Sequence, residues 1–252
     1  TGAGMMDAKK ALVENDGDFE AAGKWLRERG LGKAAERSDR ENAQGAVAIA
    51  GNDGVVAMVE LRSETDFVAK SPDFVNLVND IAELVATKGE AAVSEKQEAI
   101  DDLKVTLKEN IDLGRVFRFE AAPGNALDAY LHVQNDRGVN GVLVEVAGGD
   151  KALAHEIAVH IAFGKPGYLT RDEVPAAEVE QEREALLAET KNEGKPEQAW
   201  PKIVDGKLNG WFKRVPGGAL VEQPFARDDK QTVAQVLGDA TIVRFAQIVI
   251  GG

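Results

Sequence analysis

The 252-residue chain contains no cysteine. This excludes disulfide frameworks and thiolate zinc sites, and it is compatible with a reducing cytosol. No apolar run reaches the length of a membrane span, and no signal-peptide pattern is expected at the start. Basic residues are in deficit, 30 against 43 acidic ones, for a net charge of −13. Such a surface repels phosphate backbones and anionic membranes, which speaks against direct nucleic-acid binding and in favour of a protein partner. Phosphate-binding glycine loops are missing as well: Gly2-Ala3-Gly4 is too short and lacks a preceding strand. There is no Gly-x-Ser-x-Gly. The three histidines are His132, His155 and His160. His155 and His160 stand five apart, about 140° around a helix, where a zinc-binding pair needs four, about 40°. Asp101-Asp102 and Asp228-Asp229 read as solvated loop or cap charges. Catalytic chemistry is therefore not expected, and no cofactor or metal site is assigned.

What is present is an ordinary apolar content of 44% and enough length for one or two domains with a real core. Met5 to Glu14 carries a helical stripe, broken at Asn15-Asp16-Gly17. Asp18 caps a second helix through Arg29, which Gly30 is expected to end. Lys33 to Asn42 reads as a linker. Val47 and Ile49, the turn signal Asn52-Asp53-Gly54, and Val55 to Leu61 predict a hairpin. A loop carrying Thr65 to Lys70 follows, then helices through Phe74 to Leu84 and Lys96 to Lys108, and a strand near Val116 to Phe119. The plan recurs: a hairpin from Ala129 to Val146, a helix from Lys151 to Phe163, a helix from Thr232 to Leu237 and a strand from Ile242 to Ile250. The fold class is α+β with two subdomains of similar plan. Between Asp172 and Val215, apolar spacings of three and four flank Gly194-Lys195-Pro196, which describes an inserted antiparallel helical hairpin. Pro201 starts or kinks its second helix. The boundaries are 1–40 for an N-terminal helical domain and linker, 43–122 for the first subdomain, 123–171 with 216–252 for the second, and 172–215 for the hairpin.

Several segments together resemble the elongation factor Ts family. Thr1-Gly2-Ala3-Gly4-Met5-Met6-Asp7-Ala8-Lys9-Lys10-Ala11-Leu12 is similar to its opening signature, and Thr65-Asp66-Phe67-Val68-Ala69-Lys70 to its second motif. Gly17 to Glu20 with Trp25-Leu26-Arg27, Gly194 to Glu197, and Gln223-Pro224-Phe225 resemble further landmarks in the same order. Ala8 stands where the family often has cysteine, and Trp200-Pro201 departs from its usual uninterrupted helix. Family residues that form the first helix are expected before Thr1.

The resemblance implies a three-helix, ubiquitin-associated-like N-terminal domain and a cytoplasmic exchange factor for the GTPase elongation factor Tu, which binds neither nucleic acid nor membrane directly. It further implies that Thr65, Asp66, Phe67, Val68, Ala69 and Lys70 meet the partner. Phe67 would act as a wedge, and Asp66 would help dislodge the elements that hold Mg²⁺. Met5 and Met6 are implied as an N-terminal contact, with packing inside the helical bundle as the alternative. Leu107 and His132 are implied as contacts of the core, the alternatives being a core leucine and an ordinary strand histidine. Two other readings stay open at this point: an adaptor acting through the N-terminal helices, and a metal-dependent hydrolase using His155 and His160.

Overall fold

Strand-forming residues on either side of Asn52-Asp53-Gly54 make the first hairpin of this computed structural model, which describes residues 3–251. Thr1 and Gly2 of the opening signature lie outside the described residues. Strand β1 (Gln44–Gly51) pairs antiparallel with β2 (Val55–Ser63) in register Gln44↔Ser63 to Gly51↔Val56. The Asn52 Oδ1 accepts from the backbone N–H groups of Gly54 at 2.9 Å and Val55 at 3.1 Å, closing the turn. A one-turn helix, α3 (Asp66–Ala69), then α4 (Pro72–Lys88), α5 (Gln97–Leu107) and β3 (Asp112–Glu120) follow.

The chain divides into two compact units. The first comprises residues 1–120, 131–143 and 248–252. Its sheet runs β3-β2-β1, with the start of β5 (Arg137–Ala147) beside β1 at Val47↔Gly138. The inner faces of β1 and β2 bury Ala46, Ala48, Ala57, Val59 and Leu61 against Phe74, Leu77, Val78, Ile81 and Val85 of α4. Burying these side chains is the main stabilisation of the unit. The β2–β3 register shifts between Val59 and Leu61. There the buried Glu60 carboxylate takes the Arg115 backbone N–H at 3.0 Å and its guanidinium at 2.9 Å.

The described residues of the N-terminal segment form two helices, α1 (Met5–Glu14) and α2 (Phe19–Ala35). Residues 36–42 are all polar and offer no apolar stripe for another helix. Asp18 caps α2 as expected, accepting the Ala21 N–H at 3.0 Å. Gly30 does not end the helix. A Cβ at this position would lie 2.6 Å from Val105 Cγ1, so the missing side chain permits close packing of α2 on α5. The segment read as a linker is tied down: Asn110 Nδ2 donates to the carbonyls of Ser38 at 3.0 Å and Arg40 at 2.7 Å. Asp101 and Asp102 lie inside α5, and Asp102 pairs with Arg27 at 3.2 Å, so they are not loop charges.

The second unit comprises residues 121–130 and 144–247. Strands β4 (Ala126–Gln134) and β8 (Thr241–Val249) flank β5. Helix α6 (Lys151–Gly164) buries Ala154, Ile157, Ala158 and Ile161. Helices α7 (Ala176–Asn192) and α8 (Trp200–Phe212) form the antiparallel hairpin, with Val174, Leu208 and Phe212 buried against Val179 and Leu186. Arg183 pairs with Asp205 at 2.7 Å, and Lys207 with Glu193 at 2.6 Å. Pro201 stands in the first turn of α8, so it starts the helix rather than kinking it. A short hairpin, β6 (Pro224–Phe225) with β7 (Asp228–Thr232), escaped the sequence reading. Asp228 opens β7 and accepts from Gln231 Nε2 at 2.8 Å, where a solvated loop charge was expected. Helix α9 (Val233–Leu237) begins with a complete Thr232–Gln235 capping box. Among the described residues no helix is long and apolar enough to cross a membrane.

Candidate functional site

The segment from Thr65 to Lys70 leaves β2 and folds into α3, a single turn where a loop was expected. A turn this short cannot hold itself together, because helix nucleation is unfavourable. It is held by neighbours. Thr65 caps it, its Oγ1 accepting the Val68 N–H at 3.3 Å and donating to Glu109 Oε1 at 2.6 Å. The other oxygen of Glu109 accepts the backbone N–H groups of Glu64 at 3.0 Å and Thr65 at 3.1 Å. In return, Asn110 donates its N–H to Glu64 Oε1 at 2.7 Å. Ser63 and Ser71 close the two ends, donating to the carbonyls of Thr65 at 3.0 Å and Val68 at 2.7 Å.

This frame fixes which way each side chain faces. Ala69 is fully buried and Val68 packs on the core. Phe67 is therefore turned outward, with 73% of its surface exposed. The ring is thus not a buried helix-start aromatic. Lys70 lies over the Phe67 ring at 4.3 Å and reaches Asp66 at 3.5 Å. Behind the motif, Arg137 is buried and donates to the carbonyl of Gly45 and to Gln44 Oε1. Burial pushes its guanidinium below the usual arginine range, and the negative charge of Asp66 opposes that shift.

The remaining expected contacts fall in the same unit. Met5 and Met6 are 86% and 75% exposed on α1, and neither packs among the described helices. His132 is exposed on β4. Leu107, the last residue of α5, packs against the main core cluster and keeps part of its surface open. Glu109 and Asn110, just beyond it, tie that helix end to the motif. Among the described residues no hydrogen bond or ion pair joins Met5, Met6 or His132 to Thr65–Lys70. The sequence reading missed Glu109 and Asn110: they stand 44 to 46 positions from their partners, and local patterns carry no sign of the pairing.

The histidines of α6 do not converge. His155 is exposed, with Nδ1 on Asp128 at 2.8 Å. His160 is buried, with Nε2 on Gln223 Oε1 at 2.9 Å and Nδ1 accepting the Ala226 N–H at 3.1 Å. Both ring nitrogens of His160 are committed to structural bonds, and the hydrolase reading loses its ligand pair.

The family model described as Elongation factor TS matches residues 64–252, a segment that opens one residue before the motif. A curated Elongation factor Ts from Clavibacter michiganensis is 43% identical over 264 residues, covering 99% of this chain and 94% of its own length. That of Deinococcus radiodurans is 41% identical over 261 residues, covering 100% and 96%. That of Micrococcus luteus is 42% identical over 268 residues, covering 100% and 94%. Similarity at this level along nearly the whole length of both chains, together with the ordered motifs and the clamped turn, shows that this chain belongs to the elongation factor Ts family.

Proposed function

We propose that this protein is a guanine nucleotide exchange factor that promotes GDP release from elongation factor Tu during translation elongation. Family membership supports the activity, and one observation supports the site: Phe67 stands out from a one-turn helix clamped on both sides. An aromatic ring offers a large, stiff apolar surface at low entropic cost, which suits insertion into a partner's pocket. Asp66 and Lys70 flank it, and Thr65, Val68 and Ala69 anchor it. Mg²⁺ in a GTPase tolerates little departure from octahedral coordination while it bridges protein and phosphate oxygens. Displacing the partner's ligands or their water shell releases metal and GDP together. No covalent step is needed. Met5 and Met6 supply an adaptable second contact, and His132 and Leu107 a third from the core. The adaptor alternative has nothing to recommend it over a family match of this extent.

The test is stopped-flow release of a fluorescent GDP analogue from elongation factor Tu. The parent protein is expected to accelerate release, and Phe67→Ala to lose about tenfold or more of that acceleration while keeping its melting temperature. Acceleration that survives Phe67→Ala would move the site elsewhere. A folded parent that does not accelerate release would overturn the function.

A further inference from the structure

Two contacts of the proposed exchange surface, Phe67 on α3 and His132 on β4, share no hydrogen bond or ion pair among the described residues, yet one side chain spans the ground between them. Strand β4 ends at Gln134 and β5 begins at Arg137. Asn135 and Asp136 between them have φ 52 and 62, the two left-handed residues of a tight hairpin turn. His132 and the exposed Val133 lie on this hairpin just before its turn. The start of β5 approaches β1 closely: a Cβ on Gly138 would lie 2.2 Å from the Val47 carbonyl oxygen. All of these residues belong to the first unit.

Strand β5 pairs with β1 at Val47↔Gly138. Nearer the start of β1 the strand is met by a side chain. Arg137, only 9% exposed, donates Nη1 to the Gly45 carbonyl and Nη2 to Gln44 Oε1 at 3.2 Å. A planar guanidinium makes both bonds in one fixed fork, which an ammonium on a flexible stem does not reproduce. Gln44 lies opposite Ser63 across the β1–β2 pair. Ser63 is fully buried and donates Oγ to the Thr65 carbonyl at 3.0 Å. The same carbonyl takes the Ala69 N–H at 3.2 Å and so closes α3. The tie made by Arg137 thus leads through one strand pair to the frame of the motif. The electrostatics point the same way. Burying a guanidinium is costly, and the negative charge that acts on this one is Asp66, inside the motif.

Given the activity and contacts proposed above, on which this role rests, we infer that Arg137 is a positioning residue for exchange. It locks the β4–β5 hairpin onto the start of β1, so that His132 and the Thr65–Lys70 turn meet the partner at a fixed spacing. Contacts held in place before binding lose less conformational freedom on docking. Arg137 is buried and touches no partner itself; it acts through the hairpin that carries His132.

The first experiment needs no partner. The chain has no cysteine, so Val133→Cys on the hairpin and Asp73→Cys beside the motif, both exposed, take two specific spin labels. Their distance distribution, read by pulsed electron resonance, should be narrow in the parent. It should broaden in Arg137→Lys, which keeps the charge and loses the fork. Gln44→Ala removes one acceptor of the same tie and should broaden it too, which keeps the test open if Arg137→Lys does not fold. A change in stability alone would leave the distribution of the folded chain where it was, and an unchanged distribution in the folded variants would overturn the role. The second experiment is a double-mutant cycle in GDP release from elongation factor Tu. Arg137→Lys should slow release about tenfold, the scale of one lost charge-assisted hydrogen bond. It should cost little more once His132 is replaced by alanine, while the two losses in urea midpoint add. Losses in release rate that add as well would show that Arg137 does not act through the hairpin. A folded parent that fails to accelerate release would overturn the proposed function, and the distance measurement would still decide the positioning.

Discussion

Phe67 is exposed because its neighbours are not. Val68 and Ala69 are held by the core and Thr65 by Glu109, so the ring has one direction left. Glu109→Ala would strand two backbone N–H groups and the Thr65 hydroxyl. A loss of about 1–3 kcal/mol is expected, read as a lower urea midpoint, together with slower GDP release although Phe67 itself is intact. An unchanged midpoint and rate would show that the clamp does not orient the ring. His160 supports a second prediction at this scale. Burial lowers its pKa, opposed by the bond to Gln223. A histidine with a depressed folded pKa lets the unfolded chain take up its proton first as pH falls. The stability it contributes is thus complete above the unfolded value of about 6.5 and is lost progressively below it. The urea midpoint should fall between pH 7.5 and pH 5.5, and His160→Gln should fall less over the same interval. An equal fall in both would assign the effect to other groups.

Whole elements were legible where their signal is local. The Asn52-Asp53-Gly54 turn announced its hairpin, and the stripe from Phe74 to Leu84 announced α4. The hairpin of α7 and α8 showed in its three- and four-residue apolar spacing. Signals failed where a partner distant in sequence decides. Gly30 looks like a helix stop, yet it lies in mid-helix because Val105 of α5 needs the space. Asp228 to Thr232 has no apolar alternation and still forms β7. Gln223-Pro224-Phe225 was visible as a landmark but not as a tie: the Gln223 amide donates to the carbonyls of Gly164, Arg214 and Gly217 while its oxygen meets His160. Of the candidate site, the hexapeptide was legible and its Glu109 anchor was not. The Gly30 contact is itself testable. Gly30→Ala would gain helix propensity but drive a methyl group into Val105. Net destabilisation of about 1–3 kcal/mol is expected, and Val105→Ala should recover most of it in a double-mutant cycle. Additive losses would mean that the two residues do not share this contact.

At the scale of the molecule, exchange is a coupling between two ligands of the partner rather than a reaction. If this protein weakens GDP binding to elongation factor Tu by some ratio, GDP weakens its own binding by the same ratio. The direction of net exchange is then set by nucleotide concentrations. This separates two kinds of contact that a simple binding assay would merge. A residue that only holds the partner lowers affinity equally with and without GDP, so the coupling ratio stays fixed. A wedge acts on the ratio itself. Affinity for elongation factor Tu, measured with and without saturating GDP, should therefore respond differently to two substitutions. Met5→Ala with Met6→Ala removes exposed side chains on α1 and should weaken both complexes together. Phe67→Ala should bring the two affinities closer, because the ring's energy is realised only where the partner's nucleotide site is open. If Phe67→Ala weakens both equally, Phe67 is a holding contact, and the coupling must reside in other residues.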